Sequence, residues 1–347
     1  MNSGILTGVV EGFYGRQWSW EARLACANFM SRQGLNSYLY CPKGDPWLRK
    51  QWQQAWPADH EERLSSLSSA CREREINWGV GLSPYALYNE YNDATRARLR
   101  EKIARIDGLG GRLLAILFDD MPGDCPDIAA RQSEIVQDVR NWSEVEHLWV
   151  CPTWYSFDPQ LERYFGDRPR NYWQELSSGL PEDTAVMWTG NQVCSESITV
   201  ADLELIRGEL STPLVLWDNY PVNDGARASR YLHLAPLQRR EKGLESQLAG
   251  HLCNPMNQAY LSHWPLTGLC SLYGGTRAQA EEILGAELSD KLERDAALFQ
   301  DQGLDEIDPG QREQLAQEYR ELGSPPALEV ADWLCEGYLF DPECLTD

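Results

Sequence analysis

The apolar positions of the chain recur as eight short, β-favouring runs over its first three quarters. Because each run is apolar almost throughout, it predicts a strand that is buried on both faces, as in a parallel sheet. Seven runs stop just before polar or turn residues, among them EGFYG, DDMPGD and DNYP, and the eighth stops at NPMN. The predicted strands are Ile5–Val10, Leu35–Tyr40, Ile76–Leu82, Leu113–Phe118, His147–Cys151, Ala185–Trp188, Leu214–Trp217 and His251–Cys253.

Segments of helical character separate these strands, which begin roughly 30 to 40 residues apart, about the length of one βα unit. Eight such units predict a (β/α)8 TIM barrel over residues 1–274, close to the usual size of about 250 residues. The alternative is a doubly wound open sheet, but no GxGxxG motif follows the first strand. The predicted helices between strands include 19–33, 60–75, 93–107, 127–141 and 199–210.

The remaining residues, 275–347, predict a helical C-terminal extension. Helices are expected over Thr276–Phe299, Gln311–Leu322 and Pro326–Tyr338, the first with apolar side chains at three-to-four spacing. Those side chains are Ile283, Leu284, Leu288 and Leu292. The extension is interpreted as a cap that closes the barrel, with a hairpin that forms a homodimer as the alternative.

Composition and charge restrict the partners. The chain has 53 acidic and 31 basic residues, a net charge of −22, which disfavours nucleic acid and anionic membrane surfaces. No stretch approaches the ~20 apolar residues of a membrane span, and the N-terminus lacks a basic leader region. The ten cysteines form no CxxC pair, which favours reduced thiols and a cytoplasmic location. The five histidines form no HxH or HExxH, so neither a metal nor a cofactor is predicted.

The strongest chemical signal is the Asp119-Asp120 pair at the end of the fourth strand. In a (β/α)8 barrel the active site lies where strands end, so the polar clusters after the strands are expected to share one mouth. Two adjacent buried carboxyl groups raise one pKa, and an acid beside an ionised neighbour suits glycoside hydrolysis. A βα turn with a helix cap, or a metal-binding pair, remain alternative interpretations.

The other strand ends supply groups that suit a sugar. Lys43 follows the second strand and could hydrogen-bond a hydroxyl, although a solvated turn lysine is an equal alternative. Aromatic faces that could stack on a pyranose ring come from Tyr155, Trp188, Trp217 and Tyr220. The segments 217–224 and 254–257 add amides and carboxylates.

Seven motifs in order resemble glycoside hydrolase family 84, the β-N-acetylglucosaminidases that include protein O-GlcNAcase. They are GVVEGFYGRQW, YLYCPKGD, LFDDMP, CPTWY, WTG, LVLWDNYPVND and CNPMNQ, and they span residues 8–257. The resemblance implies a retaining, substrate-assisted mechanism without an enzyme nucleophile. One departure is Trp154, which stands before Tyr155 where the family often has an acidic residue.

The resemblance also implies roles for individual residues. Asp119 would orient the N–H of the 2-acetamido group, whose oxygen attacks C1 to give an oxazoline, and Asp120 would protonate the leaving oxygen and later activate water. Tyr155 would contact the acetamido oxygen, while Cys151 and Trp217 would enclose the acetyl methyl group. The matches to sugar-hydroxyl and acetamide contacts are Gly12, Lys43, Asn219, Asp224 and Asn254.

The resulting expectation is an exo-acting β-N-acetylglucosaminidase that needs neither cofactor nor metal. Its substrate partner would be a GlcNAc-bearing glycoprotein or a small glycoconjugate. The alternatives are a hyaluronidase-type glycosidase, which the acidic charge disfavours, and a GlcNAc-binding barrel without activity. The second alternative predicts loss of Asp119 or Asp120, yet both are present.

Overall fold

A closed barrel of eight parallel strands forms the centre of the computed structural model, which describes residues 4–276 and 278–340. Each strand pairs with its neighbours in chain order, and β1 closes the ring against β8. This confirms the predicted TIM barrel. The strands are β1 Leu6–Glu11, β2 Ser37–Tyr40, β3 Asn77–Leu82, β4 Leu113–Leu117, β5 His147–Cys151, β6 Ala185–Trp188, β7 Leu214–Asp218 and β8 Gly250–Cys253.

The barrel helices surround these strands, and the first of them has capping residues at both ends. The first begins after Ser19, whose hydroxyl accepts a hydrogen bond from the Ala22 N–H, and ends at Gly34 in the left-handed conformation. The helices are α1 Trp20–Gln33, α2 Ala58–Glu73, α3 Asp93–Gly108, α4 Ile128–Trp142, α5 Gln160–Phe165, α6 Tyr172–Gly179, α7 Val200–Arg207 and α8 Ala259–Leu272.

The connection from β7 to β8 departs from a regular βα unit. Residues 219–249, all of them described, contain the 3₁₀ turns Ala228–Arg230 and Leu244–Ser246 where an α-helix would usually lie. Prolines at 221 and 236 and glycines at 225 and 243 interrupt any longer helix in this segment.

The C-terminal part is helical, as predicted. It forms α9 Ala280–Leu284, α10 Ala286–Ala297, α11 Pro309–Leu322 and α12 Pro325–Leu334. The single helix predicted over Thr276–Phe299 is divided at Gly285, whose φ of 85° lies outside the helical range. Leu284, Leu288 and Leu292 are buried, as their spacing predicts, and Ile283 is partly buried. Residues 341–347 of the predicted extension lie outside the described residues.

These helices share a hydrophobic core with the barrel rather than standing apart. Their cluster includes Met256 and Leu261, which belong to the barrel part. The Glu329 carboxylate of α12 also accepts hydrogen bonds from the backbone N–H groups of Tyr260 (3.1 Å) and Leu261 (2.8 Å) in the first turn of α8. A carboxylate at a helix N-terminus satisfies donors that the helix leaves unpaired. The division at residue 274 and a dimer through these helices stay predictions.

Two further features bear on the setting of the protein. Within the described ranges, every helix is too short or too polar to cross a bilayer. The nine cysteines in those ranges are free thiols, and Cys344 lies outside them. The cytoplasmic location stays a prediction.

Candidate active site

The carboxyl ends of the strands open into a cavity of about 370 Å³. The ten residues that the sequence places at the site all line it: Gly12, Lys43, Asp119, Asp120, Cys151, Tyr155, Trp217, Asn219, Asp224 and Asn254. The structure therefore brings all ten together, as expected for strand ends of one barrel. Their individual roles stay predictions.

Both carboxylates of the Asp119-Asp120 pair face this cavity because β4 ends before the pair begins. Neighbouring strand residues point to opposite faces, but β4 stops at Leu117 and Asp120 has a left-handed backbone with φ 56°. A left-handed residue other than glycine costs about 1 kcal/mol. Arg49, buried beside the site, holds the turn by donating from Nη2 to the Asp120 carbonyl oxygen over 2.8 Å.

Lys43 links the two carboxylates. Its ammonium group donates a hydrogen bond to Asp119 Oδ2 and lies 3.4 Å from Asp120 Oδ2. Burial alone would lower the pKa of Lys43, but the charges of Asp119 and Asp120 raise it above its usual value. Lys43 is therefore a permanent cation at the base of the cavity.

Asp119 keeps one oxygen available. The residue is 5% exposed, and its Oδ1 is buried with no hydrogen-bond partner among the described residues. Burial and the neighbouring charge of Asp120 raise the pKa of Asp119, against the opposing effect of Lys43. An unpartnered buried carboxylate oxygen is costly, so this atom is where a donor from a ligand would be stabilised most.

Asp120 is held by neutral donors instead. Its oxygens accept hydrogen bonds from the hydroxyl groups of Tyr14 (2.8 Å) and Tyr155 (3.2 Å). Although burial would raise the pKa of Asp120, the charges of Lys43 and Arg49 and these two hydrogen bonds lower it. The surroundings therefore move the two pKa values apart, with that of Asp119 raised and that of Asp120 lowered.

Two hydrogen-bonded amides, which follow β7 and β8, form one side of the cavity. Asn254 Oδ1 accepts from the Gly12 backbone N–H over 3.2 Å, and Asn254 Nδ2 donates to Asn219 Oδ1 over 3.0 Å. The same Asn219 oxygen accepts from Trp217 Nε1 at 3.0 Å. The amides are thus fixed in orientation before any ligand enters, which reduces the entropy lost on binding.

Gly12 allows the Trp217 indole to close over the cavity. A Cβ atom at position 12 would lie 2.2 Å from Trp217 Cζ2, far inside van der Waals contact. The cavity lining also includes Cys151, which is 2% exposed. Burial raises the pKa of the Cys151 thiol, so it contributes a neutral, apolar surface rather than a nucleophile.

Asp224 reaches the cavity from the loop after β7. Its Oδ2 accepts a hydrogen bond from the Tyr14 backbone N–H over 2.7 Å. Burial, together with the charge of Asp120, raises the pKa of Asp224 to about 6. The carboxyl group is thus ionised at neutral pH and becomes neutral in mildly acidic solution.

Several residues proposed from the sequence as sugar contacts lie elsewhere, among them Trp188, Tyr220 and Asp218. Trp188 is fully buried and packs edge-on against Trp173, with ring centroids 5.3 Å apart. The Tyr220 hydroxyl donates to the Ala235 carbonyl oxygen. Asp218, part of the polar segment 217–224, is 1% exposed and lies in an ion network outside the cavity. Strand ends place successive residues on alternating faces, which the sequence alone does not resolve.

That ion network also brings together three potential metal ligands. Asp218, His251 and Cys253 have ligand atoms within 4.8 Å of one another. However, Arg240 donates to both Asp218 oxygens, at 2.6 and 2.7 Å, and His251 Nε2 lies 3.0 Å from Oδ2. A carboxylate that is already neutralised by a guanidinium is a poor ligand for a cation, so these residues do not fit a metal ion.

Sequence reasoning missed two residues that act on Asp120. Tyr14 lies in EGFYG, which the sequence indicates only as a turn after the first strand, whereas its hydroxyl and backbone N–H both donate to site carboxylates. Arg49 lies six residues after Lys43 and contacts a backbone carbonyl, for which a sequence offers no signal.

Known proteins resemble the chain over most of its length. A family model described as β-N-acetylglucosaminidase matches residues 7–292. The protein O-GlcNAcases of Rattus norvegicus and Mus musculus are each 31% identical over 260 residues, which is 72% of this chain. The chain spans 28% of the length of these relatives. A mutant of the Thermobaculum terrenum O-GlcNAc hydrolase is 26% identical in sequence and superposes with a TM-score of 0.75, over 95% of this chain and 74% of that one.

Proposed function

We propose that this chain, which belongs to the β-N-acetylglucosaminidase family, glycoside hydrolase family 84, is a retaining exo-β-N-acetylglucosaminidase that removes O-GlcNAc from Ser/Thr of proteins. The observation that carries the proposal is the unpartnered Oδ1 of Asp119, 5% exposed and one residue from Asp120. The cavity volume of about 370 Å³ is on the scale of one sugar ring, which supports the removal of single terminal sugars, that is, exo action.

Binding the acetamido group sets the protonation states. The N–H of the 2-acetamido group donates to Asp119 Oδ1 while Lys43 stays on Oδ2, and both contacts favour the ionised form of Asp119. The charge of Asp119 then raises the pKa of Asp120. Asp120 therefore acts as the proton donor once the substrate is bound.

The first chemical step forms an oxazoline. The acetamido oxygen attacks C1 as the bond from C1 to the leaving oxygen breaks, and that oxygen takes the proton of Asp120. Asp119 stabilises the positive charge that develops on the nitrogen and assists its proton loss. An internal nucleophile of high effective concentration replaces a nucleophile from the enzyme.

The second step is hydrolysis, in which water attacks C1 from the face that the leaving group occupied. Asp120, now ionised, accepts a proton from water, and the water oxygen attacks C1 as the oxazoline opens. The acetamide regains its proton at nitrogen, and the sugar leaves with the original anomeric configuration. Two inversions at C1 give net retention.

Recognition of the sugar uses the walls of the cavity. Asp224 and Asn254 accept hydrogen bonds from hydroxyl groups. Asn219 and the Gly12 N–H orient Asn254, and the Tyr14 N–H orients Asp224. Cys151 and the Trp217 indole enclose the acetyl methyl group, which explains a preference for an N-acetylated sugar. Tyr155 turns from Asp120 to the acetamido oxygen when Asp120 becomes protonated. A cytoplasmic location belongs to the proposal and rests on the free cysteines.

Hydrolysis of an aryl β-GlcNAc by the wild-type protein, with the aryl β-glucoside as control, tests the proposal. We expect release of the aryl alcohol from the GlcNAc substrate only, because glucose lacks the acetamide that supplies the nucleophile. Equal rates on both sugars would refute the assisted mechanism. Binding of GlcNAc without any cleavage by the folded protein would favour a binding barrel.

A further inference from the structure

A second cavity, of about 610 Å³, adjoins the active site. The two cavities share Tyr14, Asp120, Tyr155, Tyr164 and Val193. Asp120 therefore lies on the boundary between them. In the proposed mechanism Asp120 protonates the leaving oxygen, so the group that is attached to this oxygen extends into the second cavity.

The walls of this cavity are mainly aromatic and aliphatic. Helix α5 supplies Leu161, Tyr164 and Phe165 from one side, and Tyr85 after β3 and Met121 after β4 complete the surface. Tyr164 is 74% exposed, the highest value among the exposed large hydrophobic residues of the described chain. An aromatic side chain held open to solvent beside a catalytic group is suited to contact with a ligand.

The polar groups of this cavity are fewer than those that surround the sugar. Among the described residues that line it, Asp120 is the only charged one and Gln160 is the only amide, and two of the four tyrosine hydroxyl groups already donate to Asp120. A sugar in this position would leave several hydroxyl groups without partners, at a cost in binding. An apolar group would instead bury the exposed ring of Tyr164.

We propose that this cavity is the binding site of the aglycone, and that it selects O-GlcNAc peptides with a bulky apolar side chain beside the glycosylated Ser/Thr. The inference rests on the proposed function and names the part of the substrate outside the sugar. Its basis is the position of Asp120 between the two cavities and the apolar walls that meet the leaving group.

The test compares kcat/KM for O-GlcNAc serine peptides that differ only in the flanking residue, Gly or Phe, with chitobiose as a third substrate. We expect the wild-type protein to favour the Phe peptide about tenfold, since a buried apolar group of this size gives such a ratio. In Tyr164→Ala the Phe/Gly ratio should fall to about one, whereas Tyr164→Phe, which keeps the ring, should retain it.

Leu205→Ala is the matched control, because Leu205 is also a large exposed apolar residue (61%) but lies on α7 outside both cavities. Its Phe/Gly ratio should equal that of the wild type. A wild-type ratio of one, a ratio that Tyr164→Ala leaves intact, or a preference for chitobiose would each overturn the inference while the sugar chemistry stands. If no GlcNAc substrate is cleaved, including the Gly peptide, the proposed function fails and this inference fails with it.

Discussion

Asp119 and Asp218 are two buried carboxylates at the carboxyl ends of β4 and β7, yet their surroundings differ. Both oxygens of Asp218 accept hydrogen bonds from Arg240, and His251 adds a third contact. Burial would raise the pKa of Asp218, but the hydrogen bonds and charges of Arg240 and His251 lower it. Asp119 has Lys43 on one oxygen and no partner among the described residues on the other, and its pKa is raised.

The difference separates a structural carboxylate from one that is available for chemistry. A buried charge with all its partners inside the protein has nothing left to offer a ligand, and removing it is destabilising because its partner is left uncompensated. A buried carboxylate with an empty oxygen is costly until a ligand supplies the donor. Both residues are aspartates near the carboxyl end of a strand, so the number of partners on the two carboxylate oxygens distinguishes them.

The largest effect is expected from Asp119→Asn. The amide keeps the size of the side chain but loses the charge that stabilises the developing cation, so kcat on an aryl β-GlcNAc should fall about a thousandfold. The free energy of unfolding should stay within about 1 kcal/mol of wild type, since Asp120, 3.4 Å from the Lys43 ammonium group, remains as its counterion. Stopped assays and urea denaturation measure the two quantities. A variant that loses stability without losing activity would reverse the assignment.

Asp218→Asn is the matched experiment on the structural carboxylate. Removing its charge leaves the Arg240 guanidinium buried without a counterion, which should lower the free energy of unfolding by about 3 kcal/mol. Because Asp218 lies outside the cavity, kcat of the protein that remains folded should change by less than about fivefold. Denaturation curves and rates at a temperature where the variant is folded test this; unchanged stability would contradict the comparison.

Asp120→Asn sharpens the comparison within the pair. Its partners Tyr14 and Tyr155 are neutral donors that a substrate can displace, which a proton donor requires. Substrates with poor leaving groups should slow about a hundredfold, because they depend on protonation, and activated aryl substrates should slow much less. The rates are compared over a series of phenols of increasing pKa. Equal loss along the series would exclude the role of Asp120 as acid.

The smallest effect concerns Asp224, which has a partner on one oxygen from the Tyr14 N–H. Its pKa of about 6 means that the carboxylate binds a sugar hydroxyl above that pH and loses its charge below it. We expect kcat/KM to decline by a few fold as the pH falls through about 6, and Asp224→Asn to remove this acidic limb while lowering kcat/KM at pH 7. The measurement is the pH profile of kcat/KM for both proteins. A limb that persists in the variant would assign the ionisation to another group.

Much of the fold and of the site could be predicted from the sequence, and the family match confirms the resemblance carried by motifs such as LFDDMP. The apolar runs predict β5 and β6 with their observed bounds, because buried parallel strands are short and end at turn residues. The cavity residues could be predicted since all strand ends of a barrel meet at one mouth.

Other features of the site could not be predicted from the sequence, because they depend on the three-dimensional structure. Successive side chains point to opposite faces of a strand, so a shift of one residue at the strand end changes the face that a side chain takes. The sequence therefore does not decide whether Trp188 and Asp218 face the cavity or the layer around the barrel. The left-handed turn at Asp120 and its contact with Arg49 involve backbone atoms that carry no sequence signal. The raised pKa of Asp119 depends on how far its carboxyl group lies from the charged groups of Lys43 and Asp120. The spacing of these residues along the chain does not give those distances.

The most direct test of the central claim, that the acetamide of the substrate is the nucleophile and Asp119 assists it, is a series of aryl β-GlcNAc substrates with none to three fluorines on the N-acetyl group. Fluorine withdraws electrons from the acetamido oxygen, so log(kcat/KM) of the wild-type protein should fall steeply and linearly with each substitution. A series in which kcat/KM is independent of fluorination would contradict the claim and would indicate a nucleophile from the protein.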